Sequence, residues 1–245
     1  MNNFYQNKNI LIIGASFGIG EELYNQFDQI GANLCICARN LEKINDLVKN
    51  KNHLAIPLDV TKQDEFDQVI RVLKDKWQKI DLIIFCAGIY SPMNLDNFNP
   101  ELARSIFETN FTGFFNLITK ILPQIKDNKI SHIAVISSVA GYFGMPNSLL
   151  YGASKAGLSN LVESLYFELK KYQTKITLIN PGFVKTRLTN QNNFSMPFIT
   201  TTKKIASHII KQLPKDKFEI YFPRSFAIIM KLLNLMPFAL RNMIF

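Results

Sequence analysis

The sequence predicts an α/β chain: one doubly wound domain on a parallel sheet of about seven strands, with a helical tail behind it. Two observations carry that expectation. Short apolar runs recur at 9–14, 33–38, 53–60, 81–86, 130–137, 175–180 and 218–222. Most are apolar at nearly every position, as strands buried on both faces are. Between the runs lie stretches with a helical period, clearest at 62–79, where Phe66, Val69, Ile70, Leu73 and Trp77 share one face. Further helices are expected after Gly20 and at about 41–50, 100–109, 111–126, 151–172 and 201–213. No repeat or linker interrupts the alternation, so residues 1–223 read as one domain and 224–245 as the tail. At 245 residues the chain can bury a substantial core, and 47% hydrophobic against 19% charged residues excludes a disordered chain.

The first run ends in Gly14-Ala-Ser-Phe-Gly18-Ile-Gly20 and leads into a helix. Glycines in a strand-to-helix turn let the backbone approach a pyrophosphate, and the helix N-terminus offers it free N–H groups and a positive dipole end. The spacing differs from the common dinucleotide fingerprint G-x-G-x-x-G. The second run ends at Ala38, followed by Arg39. A carboxylate there would accept from a ribose 2′-hydroxyl, whereas an arginine accommodates a 2′-phosphate, so NADP(H) is favoured over NAD(H). Asp59, closing the third run, is placed either to reach the adenine side of a dinucleotide or to cap a helix, a role Thr61 would fill equally well. Ala87-Gly88, after the fourth run, is small enough for close approach over a cofactor. Asn110, in a phenylalanine-rich stretch between two helices, is the one polar candidate there. The fifth run delivers Ser138 at its carboxyl end, where ligands bind in open parallel sheets.

Thirteen residues after Ser138 comes Tyr151-Gly-Ala-Ser-Lys155. If Tyr151 opens a helix, the spacing puts the lysine on the same face one turn along. A phenol titrates near ~10, and a lysine cation beside it lowers that value at about 1.4 kcal/mol per unit. The expectation is therefore a phenol drawn towards the range of general acid–base catalysis by Lys155, with Ser138 polarising a substrate carbonyl. The sixth run ends in Pro181-Gly182, with Val184 and Thr186 following. Residues 187–200 show no period and suit a flap over the substrate.

Taken together these marks resemble the short-chain dehydrogenase/reductase family over about residues 8–222. The resemblance implies a Rossmann domain with strand order 3-2-1-4-5-6-7 and a nicotinamide cofactor. It implies Tyr151 as acid/base, Lys155 binding the nicotinamide ribose and lowering the tyrosine pKa, Ser138 on the substrate oxygen, and Asn110 anchoring a water in a proton relay. Cofactor contacts are implied at Gly14, Ser16, Phe17, Gly18, Ile19, Gly20, Arg39, Asp59, Val60, Cys86, Ala87, Gly88, Tyr151, Lys155, Pro181 and Gly182, with Val184 and Thr186 on the carboxamide. Family members are commonly dimers or tetramers. Two positions depart from the family pattern: Ile13 stands where a threonine is usual, and Phe85-Cys86 replace a pair of asparagines. These sites touch in the family, so losing both polar partners leaves neither unsatisfied.

Three scattered cysteines and three scattered histidines form no metal-ligand spacing and no disulfide framework. The N-terminal residues carry no apolar leader pattern, so a cytoplasmic chain is expected. Ten of the 28 Lys/Arg but only two of the 19 Asp/Glu fall in residues 185–245, which points to an anionic partner for that end. On a helical wheel Arg224, Lys231, Asn234, Arg241 and Asn242 gather on one side of the tail, and Pro237 divides it. A basic stripe beside an apolar face suits the inner surface of a membrane, and a dimer arm or substrate lid would look similar. The apolar tail and flap suggest a lipophilic ketone or alcohol. A 3-oxoacyl-[acyl-carrier-protein] reductase and a non-catalytic cofactor-binding scaffold are the alternatives. Nucleic-acid binding has no supporting element beyond net charge.

Overall fold

The computed structural model describes residues 4–244. Met1, Asn2, Asn3 and Phe245, and with them the very start of the expected leader-free N-terminus and the last residue of the tail, lie outside the described residues. Seven strands form one parallel sheet: β1 (Asn9–Ile13), β2 (Asn33–Ala38), β3 (Leu54–Pro57), β4 (Leu82–Phe85), β5 (His132–Ile136), β6 (Lys175–Pro181) and β9 (Glu219–Phe222). Their order is 3-2-1-4-5-6-9, the predicted topology. Two further strands, β7 (Val184–Lys185) and β8 (Thr200–Thr201), form a separate two-stranded ribbon at either end of the expected flap.

Side chains alternate across the sheet, and each face has its own helical layer. Leu11, Ile13, Cys35 and Cys37 pack against α3 (Glu65–Lys76), α5 (Gly113–Lys126) and α6 (Leu149–Leu169). Ile10, Ile12, Leu34 and Ile36 pack against α1 (Gly18–Ile30), α2 (Leu41–Leu47) and α7 (Thr202–Gln212). The two departures from the family pattern meet here. Ile13 is the register partner of Phe85, and both are buried in one cluster, so an apolar contact occupies both positions.

Local structure differs from the expectation in two places before the tail. The helix carrying Tyr151 begins at Leu149 and continues to Leu169, with a 3-10 turn to Tyr172. The break expected at Asn110 is instead a π turn, Glu108–Thr112, joining α4 (Pro100–Phe107) to α5 without interrupting the helical path. Such turns accommodate one extra residue per turn and recur at functional sites.

In the tail, α8 (Arg224–Leu235) begins at the expected boundary and Pro237 separates it from α9 (Phe238–Arg241). However, α8 buries Phe226, Ala227 and Met230 against Val139 and Phe143 near the carboxyl ends of the strands. Side chains of the size of Phe226 and Met230 stabilise by about 1.5–3 kcal/mol each when buried. The tail is therefore anchored. Two cations of the polar stripe turn onto the protein while Arg224, Asn234 and Asn242 stay exposed: Lys231 pairs with Glu219, and Arg241 lies 4.6 Å from the Phe143 ring centre. Ile228, Leu232, Leu235, Phe238 and Met243 are left facing outward. The cations expected to meet lipid headgroups are largely spent on the body of the protein.

Candidate active site

The carboxyl ends of β1, β4, β5 and β6 converge on one cleft. At the end of β1 the backbone turns through Gly14 (φ 89°) and Gly18 (φ 66°), in the left-handed region that side chains resist. A Cβ on Gly20 would sit 2.2 Å from the Gly14 carbonyl oxygen, and one on Gly14 would sit 2.5 Å from the Ala87 nitrogen. The glycine turn and the Ala87-Gly88 segment thus lie backbone against backbone. Phe17 stands at the N-cap of α1 but offers no side-chain acceptor to the first N–H groups. Those donors suit an anion.

The Phe17 ring carries Lys43 at 3.5 Å and the Arg187 guanidinium at 4.0 Å from its centre. Both cations are therefore within cation–π range of the same ring. Among the described residues neither forms an ion pair. Arg39 is exposed beyond Ala38. Uncapped N–H groups, a glycine cradle without Cβ atoms, and Arg39, Lys43 and Arg187 around it fit a dinucleotide with its phosphates at the α1 terminus.

Ser138 ends the β5 segment and heads a 3-10 turn, Val139–Gly141, accepting from the Ala140 N–H at 3.1 Å. A Cβ on Gly141 would lie 2.8 Å from the Lys155 carbonyl carbon, so the turn is pressed against α6. Ser137 fastens the same contact by donating to the Lys155 carbonyl at 3.1 Å and pairing with Ser159 at 2.9 Å. These contacts bring Ser138 to Tyr151. The expected electrostatics differ, however. Burial pushes the Tyr151 phenol above its ordinary value, and a hydrogen bond to Ser138 pulls it part of the way back.

Lys155 does not lower it here. Its ammonium lies 6.0 Å from the Tyr151 ring centre and donates to the Ile136 carbonyl at 2.9 Å. Only 4% exposed, Lys155 is itself driven down by burial, to about 8, with Cys86 countering. Burial also raises the Cys86 thiol to about 12.

Asn110 is fully buried. Its Oδ1 accepts from the Ile89 N–H at 2.8 Å, and its Nδ2 donates to the Ile89 carbonyl at 3.0 Å and to Ser154 Oγ at 3.1 Å. Ser154 in turn donates to the Tyr151 carbonyl at 2.8 Å. The amide therefore ties the segment after Gly88 to α6. A Cβ on Gly88 would meet Asn110 Oδ1 at 3.2 Å and Lys155 Nζ at 3.6 Å, which locates all three together.

Three expected contacts are occupied otherwise. Asp59 accepts from the Thr61 N–H and hydroxyl at 3.0 and 2.8 Å in a local turn and caps no helix, since α3 begins at Glu65 with Asp64 as its N-cap, while Val60 is buried against the position of Gly113. Val184 points into the core, 4% exposed, so only its backbone can face a ligand. Thr186 stands beside Gly18, its Cγ2 3.3 Å from where a Cβ there would be. Pro181 ends β6, and Gly182 is packed against Phe226, whose ring would be 2.7 Å from an added Cβ.

Sequence reasoning missed Tyr90. Its ring meets Tyr151 edge-on at 4.8 Å, and its hydroxyl donates to Asn192 of the flap at 2.6 Å. Burial and the neighbouring Tyr151 raise its phenol to about 12. An aromatic residue two positions after Ala87-Gly88 was the available signal. The flap's Phe194 and Phe198 join Phe183 and Phe226 in one aromatic cluster, with ring centres 5.6–6.0 Å apart. Among the described residues no group of acids, histidines and cysteines could hold a metal, and no helix is long and apolar enough to cross a membrane.

The sequence model for "short chain dehydrogenase" matches residues 8–196. An uncharacterized oxidoreductase of Myxococcus xanthus is 32% identical over 232 residues, spanning 93% of this chain and 92% of its own. Among solved structures, a short chain dehydrogenase of Burkholderia cenocepacia in complex with NADP superposes with a TM-score of 0.84 at 22% identity, covering 97% of this chain and 98% of that one. A 3-ketoacyl-(acyl-carrier-protein) reductase of Brucella melitensis complexed with NADH gives 0.79 at 22% identity, covering 90% and 99%. The fold, the order of the motifs and these likenesses agree: the chain belongs to the short-chain dehydrogenase/reductase family, oxidoreductases acting on CH–OH groups.

Proposed function

We propose that this protein is an NADP(H)-dependent oxidoreductase that interconverts a lipophilic ketone or aldehyde and its alcohol. The observation that carries the reading is the packing of the turn headed by Ser138 against the helix that carries Tyr151, at the carboxyl edge of the sheet and beside an uncapped helix N-terminus. A bound nicotinamide supplies a hydride to the substrate carbon, or takes one from it. In the reducing direction Tyr151 gives its phenolic proton to the substrate oxygen, and in the oxidising direction it takes the proton back. Ser138 donates a hydrogen bond to the same oxygen and polarises the carbonyl. Lys155, with its pKa near 8, keeps its proton at pH 7 and is the buried cation behind the phenol. Asn110 holds the Ile89 segment and Ser154 in register, which fixes the pitch of Tyr151 on α6.

The cofactor preference rests on Arg39, with Lys43 and Arg187 as further phosphate-seeking cations. The lipophilic substrate rests on the aromatic cluster joining flap to tail, which would close over an apolar chain. Titration of NADPH and NADH, followed by an NADPH-oxidation screen on ketones of graded chain length and a carrier-bound 3-oxoacyl substrate, tests the assignment. Tyr151→Phe should abolish turnover and leave NADPH binding within a few-fold; turnover retained in that variant overturns the reading.

The outward apolar face of the tail fits a second copy of this chain better than an anionic membrane. Two of the tail's three cations, Lys231 and Arg241, are turned onto the protein. Replacing Leu232, Leu235 and Phe238 with Ser should lower the mass seen by light scattering. Unchanged mass, or flotation of the parent protein with anionic vesicles, would exclude a tail-mediated dimer as the reason for that face.

A further inference from the structure

Glu219 is one of two acids in the last 61 residues, and it sits at the start of the edge strand β9. Three donors from three different elements converge on its carboxylate. Tyr142 Oη donates to Oε1 at 2.6 Å, Asn180 Nδ2 donates to the same oxygen at 2.8 Å, and Lys231 Nζ donates to Oε2. Lys231 also lies 4.5 Å from the Tyr221 ring centre and 5.7 Å from that of Tyr142. Burial alone would raise the Glu219 carboxyl, but the three donors outweigh it and hold it below its ordinary value. The carboxylate therefore stays charged at neutral pH. The Asn180 Oδ1 is buried without a partner, so Glu219 is what holds that amide in place.

Each donor sits next to the candidate active site. Asn180 precedes Pro181-Gly182 in β6. Tyr142 closes the 3-10 turn that Ser138 opens, and the turn is held by Gly141 N–H to Ser138 O at 3.0 Å and Tyr142 N–H to Val139 O at 3.1 Å. Ser138 and Tyr142 are thus the two ends of one stiff unit, pinned by β5 at one end and by Glu219 at the other. Lys231, from the middle of α8, completes the second anchor. A half-buried ion pair such as Lys231–Glu219 adds little to stability, because solvent screening and desolvation offset most of its attraction. Its directional bonds instead fix distances, and the distance at stake is that from Ser138 to Tyr151.

We infer that Lys231, acting through Glu219 and Tyr142, is a positioning residue for Ser138, so that the tail helix sets the hydrogen bond between serine and tyrosine. The inference rests on the reading of Ser138 and Tyr151 as the pair that handles the substrate oxygen. Its signature is the titration of Tyr151, which Ser138 faces from the turn, Tyr90 from the segment after β4, and Lys155 from the same helix. Loosening the turn removes the bond that lowers the phenol, so the apparent pKa of the rate moves up.

The test uses the full chain and its variants Lys231→Met, Tyr142→Phe, the double variant and Lys231→Arg. The readouts are single-turnover NADPH oxidation, its pH profile, NADPH affinity and urea unfolding. Lys231→Met and Tyr142→Phe should each slow the single turnover about tenfold and raise its apparent pKa. NADPH affinity should stay within twofold. The double variant should lose no more than the worse single one, because both act through one carboxylate, and Lys231→Arg should restore most of the rate. Losses that multiply in the double variant, track the unfolding midpoint, or leave the pH profile in place overturn the inference alone. A parent protein that binds no NADPH overturns the proposed function and this inference with it.

Discussion

Lys155 should make the protein less stable than an apolar residue would at the same position. Burial lowers its pKa from the usual 10.5 to about 8, and its side chain is almost fully enclosed. At about 1.4 kcal/mol per unit, that displacement corresponds to roughly 3 kcal/mol charged against the folded state at pH 7. Lys155→Met removes the charge and keeps an unbranched chain. It also forfeits the hydrogen bond to the Ile136 carbonyl, worth about 1 kcal/mol. The variant should therefore gain about 2 kcal/mol at pH 7, or about 4–8 °C in Tm for a chain of this size.

The pH dependence separates this cause from better packing. Below about pH 8 both the folded and unfolded chains hold the proton, and the cost is constant. Between about 8 and 10.5 the folded chain has released it while the unfolded chain still holds it, so stability of the parent protein rises with pH across that window. Lys155→Met lacks this rise, and the two stabilities converge. Urea unfolding without nucleotide at pH 7 and pH 9.5 measures both quantities. A Met variant less stable at pH 7, or a difference between the two proteins that does not change with pH, would refute the argument.

Two other outcomes follow from the geometry. Gly20→Ala should fail to bind NADPH and should unfold at lower urea, because the new methyl would lie 2.2 Å from the Gly14 carbonyl oxygen and the turn would have to open; fluorescence titration and urea unfolding read the two effects. Tyr90→Phe removes the 2.6 Å bond to Asn192 and keeps the ring against Tyr151, so the KM for ketone should rise several-fold with kcat and NADPH affinity little changed in initial-rate assays.

What could be read from the sequence was whatever the backbone dictates locally. A run such as Asn33–Ala38 is apolar on both faces because α layers cover both, whereas the sheet order was implied by the family resemblance. Gly14 and Gly20 were legible because main chain closely approaches main chain there, and Gly18 because its φ of 66° lies in the left-handed region. The candidate residues Asn110, Ser138, Tyr151 and Lys155 were found by spacing, and they do meet around Gly88, α6 and the turn after β5. Their charges were not legible. A four-residue spacing places Lys155 one turn from Tyr151 but says nothing of the Ile136 carbonyl that claims the ammonium, or of the burial that governs both pKa values.

The tail shows the same limit more sharply. A helical wheel sorts α8 into an apolar side and a basic side, and periodicity alone assigns the basic side to solvent. Here the partner of Lys231 is an acid twelve residues earlier on an edge strand, and that acid is also claimed by Tyr142, 77 residues away in sequence. Pairings at that separation leave no trace in a period. Once they form, Lys231 and Arg241 are turned onto the protein while Ile228, Leu232 and Leu235 stay outside, so the surface presented to a partner is less basic than the wheel suggests. The excess of positive charge in the last 61 residues consequently overstates the tail's attraction for anions. The exposed cations that remain include Lys185, Arg187, Lys203 and Lys204 beside the cleft and the start of α7. An anionic partner for this end of the chain is thus expected at the cleft, where cofactor phosphates would lie, and not along α8.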